Sequence, residues 1–175
     1  MTPEQRFYVV IRNGIGAAIV NALLNGAIGW GLTRGLSEFP IWRTPGVAVD
    51  LIFTAFGITF GTCLVLPLQT TRDFRRGLVT LPKVAPGVAA LIGRFPMGLF
   101  RRAVVLGAVS IPVFAPPVLV ALAASDAAAM GRLPFIELKA AFSAIQGGIV
   151  TPFIVLAILA DLSGHRSVTG TFRLR

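Results

Sequence analysis

Four long apolar stretches, separated by short polar segments, constrain this chain more than any other feature. They cover residues 11–32, 45–68, 102–124 and 134–162. Each has about 20 residues or more, and at a rise of about 1.5 Å per residue an α-helix of that length crosses a hydrocarbon layer about 30 Å thick. We therefore predict an all-α membrane protein, in which residues 1–175 form a single domain of four transmembrane helices, spans 1 to 4.

The composition argues against a water-soluble domain of the same size. Hydrophobic residues make up 55% of the chain and charged residues 13%, with a mean hydropathy of +0.81. A soluble domain usually carries about 25% charged residues. So much apolar surface needs lipid to cover part of it. The composition is typical of a small multi-pass protein of a plasma membrane, such as a bacterial inner membrane.

The distribution of lysine and arginine predicts how the spans are oriented. Twelve of the sixteen lie in the two termini and in the loop between spans 2 and 3. The other side of the membrane has four, namely Arg34, Arg43, Arg132 and Lys139. Because these residues concentrate on the cytoplasmic side of membrane proteins, we expect both termini in the cytoplasm.

The loop between spans 2 and 3 is the only long connection. Residues 84–100 mix apolar and basic side chains, which favours one or two short helices lying on the inner leaflet. A plain connector with basic anchors explains the pattern equally well. The cluster Arg72, Arg75 and Arg76 is predicted to bind anionic lipid head groups, although ordinary topology anchoring would also place it there.

The sequence offers little to catalysis or to a cofactor. His165 is the only histidine and Cys63 the only cysteine, so a catalytic triad, a disulfide within the chain and a zinc site are not expected. We predict that the protein is not an enzyme and holds no metal or cofactor. The net charge of +9 could indicate nucleic-acid binding. The basic residues lie between apolar spans, however, where topology signals lie, so no nucleic-acid partner is expected.

Span 1 carries asparagines and small residues at helical spacing. Asn13, Asn21 and Asn25 are separated by multiples of four, so they lie on one slowly drifting face. Beside them runs a stripe of small residues that would let another helix approach closely, namely Gly14, Ala18, Ala22 and Gly26. We expect span 1 to pack against other spans, and Asn21 and Asn25 to form hydrogen bonds across helices. The asparagines could serve packing alone or line a polar site.

Spans 2 and 4 each carry one polar face. In span 2 the face consists of Asp50, Thr54, Gly57 and Gly61, and in span 4 of Lys139, Ser143 and Gln146. Asp50 and Lys139 lie at similar depth, and ionisable groups inside a membrane are functional candidates with a named partner. We predict an ion pair between them. The alternatives are a carboxylate stabilised by the helix N-terminus and a lysine that snorkels to the interface.

Together these faces predict a polar pocket in the outer half of the membrane. Its expected substrate-binding residues are Asn21, Asn25, Asp50, Thr54, Lys139, Ser143 and Gln146. The corresponding functional hypothesis is a small transporter or channel subunit for a small polar or zwitterionic solute. Four spans rarely enclose a pathway, so we expect a homo-oligomer, most simply a dimer. The alternative is a non-catalytic accessory or assembly subunit of a larger membrane complex.

A weak internal repeat is a further hypothesis. Thr54 precedes Pro67 by thirteen residues, and Lys139 precedes Pro152 by the same number. Two hairpins related by an axis along the membrane normal would produce this pattern. Chance similarity between apolar helices would produce it as well.

Overall fold

The computed structural model describes residues 1–81 and 98–168, and it consists mainly of four long helices. These are α1 (Pro3–Leu32), α2 (Val47–Arg75), α3 (Leu99–Ala124) and α4 (Arg132–Val168), and the segment Phe7–Ile15 of α1 is π-helical. Each contains an apolar segment long enough to cross a membrane. The expected helical membrane protein with four spans is therefore confirmed in its architecture, and the chain is a multi-pass membrane protein.

The helices extend beyond the predicted spans, mostly at the ends expected to lie inside. Helix α2 continues through the basic cluster to Arg75, and α4 continues past residue 162 to Val168. Hydropathy detects only the part of a helix that fits the hydrocarbon layer, whereas backbone hydrogen bonding continues into the polar zone. The interfacial helices predicted for residues 84–100 fall mostly outside the described residues.

Two short strands were not predicted, and they lie in the loops at the end of the bundle away from both termini. We call this end the outer end and the opposite one the inner end, after the predicted orientation. Strand β1 (Glu38–Pro40) pairs antiparallel with β2 (Ala129–Gly131), with Phe39 opposite Met130. The Phe39 ring contacts the ring of Phe135 in the first turn of α4, at 4.7 Å between centroids. Three residues are too few to produce a recognisable alternating pattern, so this small sheet could not be predicted from the sequence.

The helices lie side by side in the order α1, α4, α2, α3. Helix α4 packs against α1 on one side and α2 on the other, and α3 packs against the far side of α2. Exchanging α1 with α3 and α2 with α4 reverses this row, but the same pairs of helices remain in contact. The β1–β2 pair, which joins the loop after α1 to the loop after α3, obeys the same exchange. The arrangement supports the hypothesis of two related hairpins.

Two ion pairs near the inner ends obey the exchange as well. Arg12 of α1 lies 3.1 Å from Asp73 of α2. Arg102 of α3 lies 2.5 Å from Asp161 of α4. Each hairpin thus has an arginine early in its first helix and an aspartate late in its second.

Small residues hold α1 against α4, as the stripe predicted. A Cβ atom built on Gly14 would lie 2.9 Å from Cγ of Pro152, and one built on Gly26 would lie 3.6 Å from Cβ of Ala140. On the facing helix, a Cβ on Gly147 would lie 2.6 Å from the Asn21 amide nitrogen. Close backbone approach of this kind is how membrane helices gain packing energy without a hydrophobic driving force.

Substitution of Gly147 by alanine should therefore destabilise the α1–α4 contact. The added methyl group must displace the Asn21 amide, and overpacking of this kind costs about 1–3 kcal/mol. We expect Gly147→Ala to lower the thermal unfolding temperature of the protein in detergent. Gly31→Ala is the matched control, because a Cβ there meets nothing within 4 Å and alanine favours the helix by about 1 kcal/mol. Equal stability of the two variants would contradict the packing described.

Candidate functional site

A buried ion pair joins α4 to α2 near the outer end of the bundle. The Lys139 ammonium donates to Asp50 Oδ2 at 2.5 Å and to Thr54 Oγ1 at 2.7 Å. Only 2% of the Lys139 side chain and 16% of the Asp50 side chain are exposed. The predicted contact between Asp50 and Lys139 is present, and Thr54 contributes to it.

Local structure explains why both charges can lie there. Asp50 is in the first turn of α2, where the unpaired backbone N–H groups and the helix dipole favour a carboxylate. The aliphatic stem of Lys139 passes Gly29 of α1, where a Cβ atom would lie 3.2 Å from Lys139 Cδ. Glycine at this position therefore gives the lysine room to reach α2 instead of snorkelling to the interface.

A second polar contact joins three helices nearer the middle of the bundle. The Gln146 amide donates to the Ala55 carbonyl at 2.6 Å and to Thr59 Oγ1 at 3.0 Å. The Ser110 hydroxyl of α3 donates to the same Ala55 carbonyl at 2.6 Å. One carbonyl of α2 thus accepts bonds from both α3 and α4, which fixes their positions around it.

The asparagines of α1 behave differently from the prediction. The amide of Asn21 donates to the Ala17 carbonyl at 2.8 Å, and that of Asn25 donates to the Asn21 carbonyl at 3.1 Å. These bonds run along α1, so the expectation that Asn21 and Asn25 bond across helices is wrong. An amide one turn after a carbonyl of its own helix reaches it without any partner helix.

A groove of about 770 Å³ lies between α1 and α2, with α4 at its back. It runs from Arg12 and Gln69 near the inner end to Ile28 and Phe53 near the outer end. Helices α1 and α2 do not pack against each other along their length. The groove therefore opens sideways, in the plane of the membrane.

The groove only partly matches the predicted pocket. Four of the seven predicted residues line it, namely Asn21, Asn25, Thr54 and Lys139. The other three, Asp50, Ser143 and Gln146, do not line it, and Ser143 and Gln146 are fully buried. The prediction of one outer pocket shared by all seven is wrong, because the span 2 and span 4 faces interlock directly and leave no space between them. The cavity also extends well beyond the outer half.

The groove has apolar lips and a polar back. Val20 and Leu24 of α1 and Phe53 and Val65 of α2 line it and are more than half exposed. At the back, the Thr151 hydroxyl is buried and has no hydrogen-bond partner. A buried polar group without a partner costs about 1–3 kcal/mol, so this wall is poorly matched to hydrocarbon chains.

A polar cluster at the inner end was missed by the sequence reasoning. The Tyr8 hydroxyl donates to Asp73 Oδ2 at 3.0 Å, and the same carboxylate faces Arg12. The Arg12 guanidinium also lies 5.3 Å from the centre of the Tyr8 ring. Asp73 lies within the basic segment that ends α2. In the sequence it therefore looked like an ordinary acidic residue of a charged loop. Its burial would have been suggested by its helical spacing from Thr70 and Leu66.

The predicted lipid-binding residues end α2 as an exposed group. Arg72, Arg75 and Arg76 are all exposed at the last turn. Their position is compatible with lipid head groups, and binding itself stays a prediction.

Comparison of the chain with family models, with curated proteins and with solved structures finds no match. Interpretation of the site therefore rests on its own geometry.

Loss of one partner of the buried pair should be far more harmful than loss of both. Removing one charge of a buried pair leaves the other uncompensated and costs about 3–5 kcal/mol, whereas replacing both with neutral groups is often nearly neutral. We expect Lys139→Met to lower the unfolding temperature strongly, and Lys139→Met combined with Asp50→Asn to recover most of the loss. Additive effects of the two substitutions would contradict a direct pair.

Proposed function

We propose that this multi-pass membrane protein is a transporter or channel subunit for a small polar or zwitterionic solute, and that the groove between α1 and α2 is its part of the pathway. The polar back of the groove carries the proposal. A groove meant only for acyl chains needs no buried hydroxyl without a partner, no lysine side chain and no row of amides.

The charge of the groove supports a solute of no net charge. Lys139 and Arg12 line it, and each is paired with an aspartate, Asp50 and Asp73 respectively. The two ion pairs and the neighbouring amides offer both donors and acceptors without a strong net field. A strongly charged ion would need to outcompete the existing pairs, whereas a zwitterion or a neutral polar molecule could bind beside them.

We further propose that both termini lie in the cytoplasm, as the excess of Lys and Arg at the inner ends supports. The Lys139–Asp50 end of the groove then faces outward. The exposed arginines at the end of α2 would meet anionic head groups of the inner leaflet, and a bacterial inner membrane is the setting that we propose.

The sideways opening requires a partner, because a polar pathway must be shielded from lipid. We therefore propose a homo-oligomer. An accessory subunit is the second candidate, and Gly57 and Gly61 favour it, since both line the groove with open space beside them that a helix of another protein could occupy. Stoichiometric copurification of a different membrane protein in mild detergent would support that candidate.

Water access to the groove tests the transport proposal. In a Cys63→Ala background, single cysteines replace Asn25 near the outer end and Thr62 near the middle, both of which line the groove. A membrane-impermeant maleimide should label both in intact proteoliposomes, because the reactive thiolate forms only where water is present. We expect labelling about tenfold or more faster than at a lipid-facing position. Raising the thiol pKa by one unit lowers the fraction of reactive thiolate about tenfold, and a lipid environment raises the pKa at least that much.

Leu23→Cys is the matched control. Leu23 lies on α1 at the depth of the groove, is 71% exposed and does not line the cavity. Its labelling should stay slow, since the side chain faces hydrocarbon. Groove cysteines that react no faster than the Leu23→Cys control would mean a dry groove and would remove the proposed pathway.

A further inference from the structure

The glycines of the four helices divide into two groups by what surrounds them. Six have atoms of another helix within 4 Å of a built Cβ, namely Gly14, Gly26, Gly29, Gly107, Gly147 and Gly148. Gly16, Gly57 and Gly61 have nothing within 4 Å, and all three line the groove. Gly31, close to the outer end of α1, is also open but does not line it. Among the helical glycines between residues 14 and 148, the space beside each glycine is thus occupied by another helix except at the groove and at that end of α1.

Two contacts set the relative depth of α1 and α2. Tyr8 bonds Asp73 near the inner end. Near the outer end, Gly29 contacts Lys139, whose ammonium lies between Asp50 and Thr54. Both contacts give a similar register between the antiparallel helices. Where α1 is a regular α-helix, from Gly16 to Leu32, residue n of α1 lies level with about residue 81 − n of α2.

This register places three of the four large lip residues level with a gap in the other lip, whereas Phe53 lies level with Ile28. Val20 lies level with Gly61, and Leu24 lies level with Gly57. In the opposite sense, Val65 of α2 lies level with Gly16 of α1. The side chains at 20, 24 and 65 are all more than half exposed. Each helix therefore carries projections that fit the gaps of the other at the same depth.

We propose that a second copy of this chain closes the groove, related by a two-fold axis along the membrane normal, with Val20 and Leu24 of each copy packed into the gaps at Gly61 and Gly57 of the other. Such an axis places each residue at the same depth in both copies. Residues of α1 and α2 that lie level within one chain therefore also lie level between the two chains. The interface is isologous, with the same patch on both copies. The proposal rests on the proposed function and names its partner.

Thr151 is the independent reason to expect more than lipid in the groove. The residue is 3% exposed and lines the groove, and its hydroxyl has no hydrogen-bond partner. Acyl chains offer it no hydrogen bond. A second copy closes the apolar lips against lipid and leaves the two polar back walls facing each other across a shared interior.

A different helix could also fill the gaps, but the matched depths favour self-association. A two-fold interface requires that the two lips of one chain be complementary, as they are at three depths. Binding of an unrelated helix would not require this complementarity. Small-residue gaps that receive larger side chains provide the close packing on which helix association in lipid depends.

Disulfide cross-linking between differently tagged copies tests the interface. In the Cys63→Ala background, a copy with Leu24→Cys is reconstituted with a copy carrying Gly57→Cys, and a Val20→Cys copy with a Gly61→Cys copy. Mild oxidation should give a dimer that carries both tags from each mixture. The control mixture, Leu23→Cys with Gly57→Cys, differs by one residue in α1 and should give none, because Leu23 does not line the groove.

A second measurement does not depend on disulfide geometry. Gly61→Val fills a gap that is open within the chain, so the monomer should keep its unfolding temperature. The dimer population, counted by single-molecule photobleaching in liposomes, should fall at least tenfold. Gly31→Val is the control and should leave it unchanged. A dimer unaffected by Gly61→Val, cross-links at Leu23→Cys, or a stoichiometric foreign helix in the groove would overturn the proposal.

The two proposals fail in different ways. Tagged dimers through α1 and α2 with a groove that resists the maleimide would keep the interface and remove the transport function. Rapid labelling of Asn25→Cys and Thr62→Cys without such cross-links would keep the pathway and remove the second copy as its cover.

Discussion

The buried pair of Lys139 and Asp50 is the interaction on which the rest of the structure depends. A charge in the hydrocarbon layer is tolerated only when it has a partner, and these two side chains find each other across the α2–α4 contact. Gln146 extends the same contact inward to Ala55 and Thr59. These polar bonds give α2 and α4 a fixed rotation and depth, which apolar packing in lipid would leave less well defined.

With α2 and α4 fixed at the centre, α1 and α3 occupy equivalent flanking positions, and the groove lies on the α1 side. The repeat spacing that relates Thr54 to Lys139 relates Gly57 to Phe142. Phe142 is buried and packs in the outer core with Phe114 of α3. At the position that the proposed repeat relates to Phe142, the first hairpin has Gly57 with open space beside it, and the groove lies there.

The spans and the ion pair could be predicted because hydropathy and helical spacing act along one helix at a time. Asp50 and Lys139 each stood out as charges within apolar stretches, and their depths matched. The location of the groove could not be predicted in this way. It depends on which helices become neighbours, and Asn21 and Asn25 satisfy their amides along α1, so their spacing carried no information about a partner. The roles of Asp73 and the short strands also emerge only from tertiary contacts.

We propose that the back of the groove is a polar surface that binds water or solute rather than lipid. A high-resolution cryo-electron microscopy structure of the protein in lipid nanodiscs would show which of them lies there. We expect ordered water or solute density along Asn21, Asn25, Thr151 and Lys139, enclosed between two copies. Continuous acyl-chain density in contact with these four side chains would contradict it.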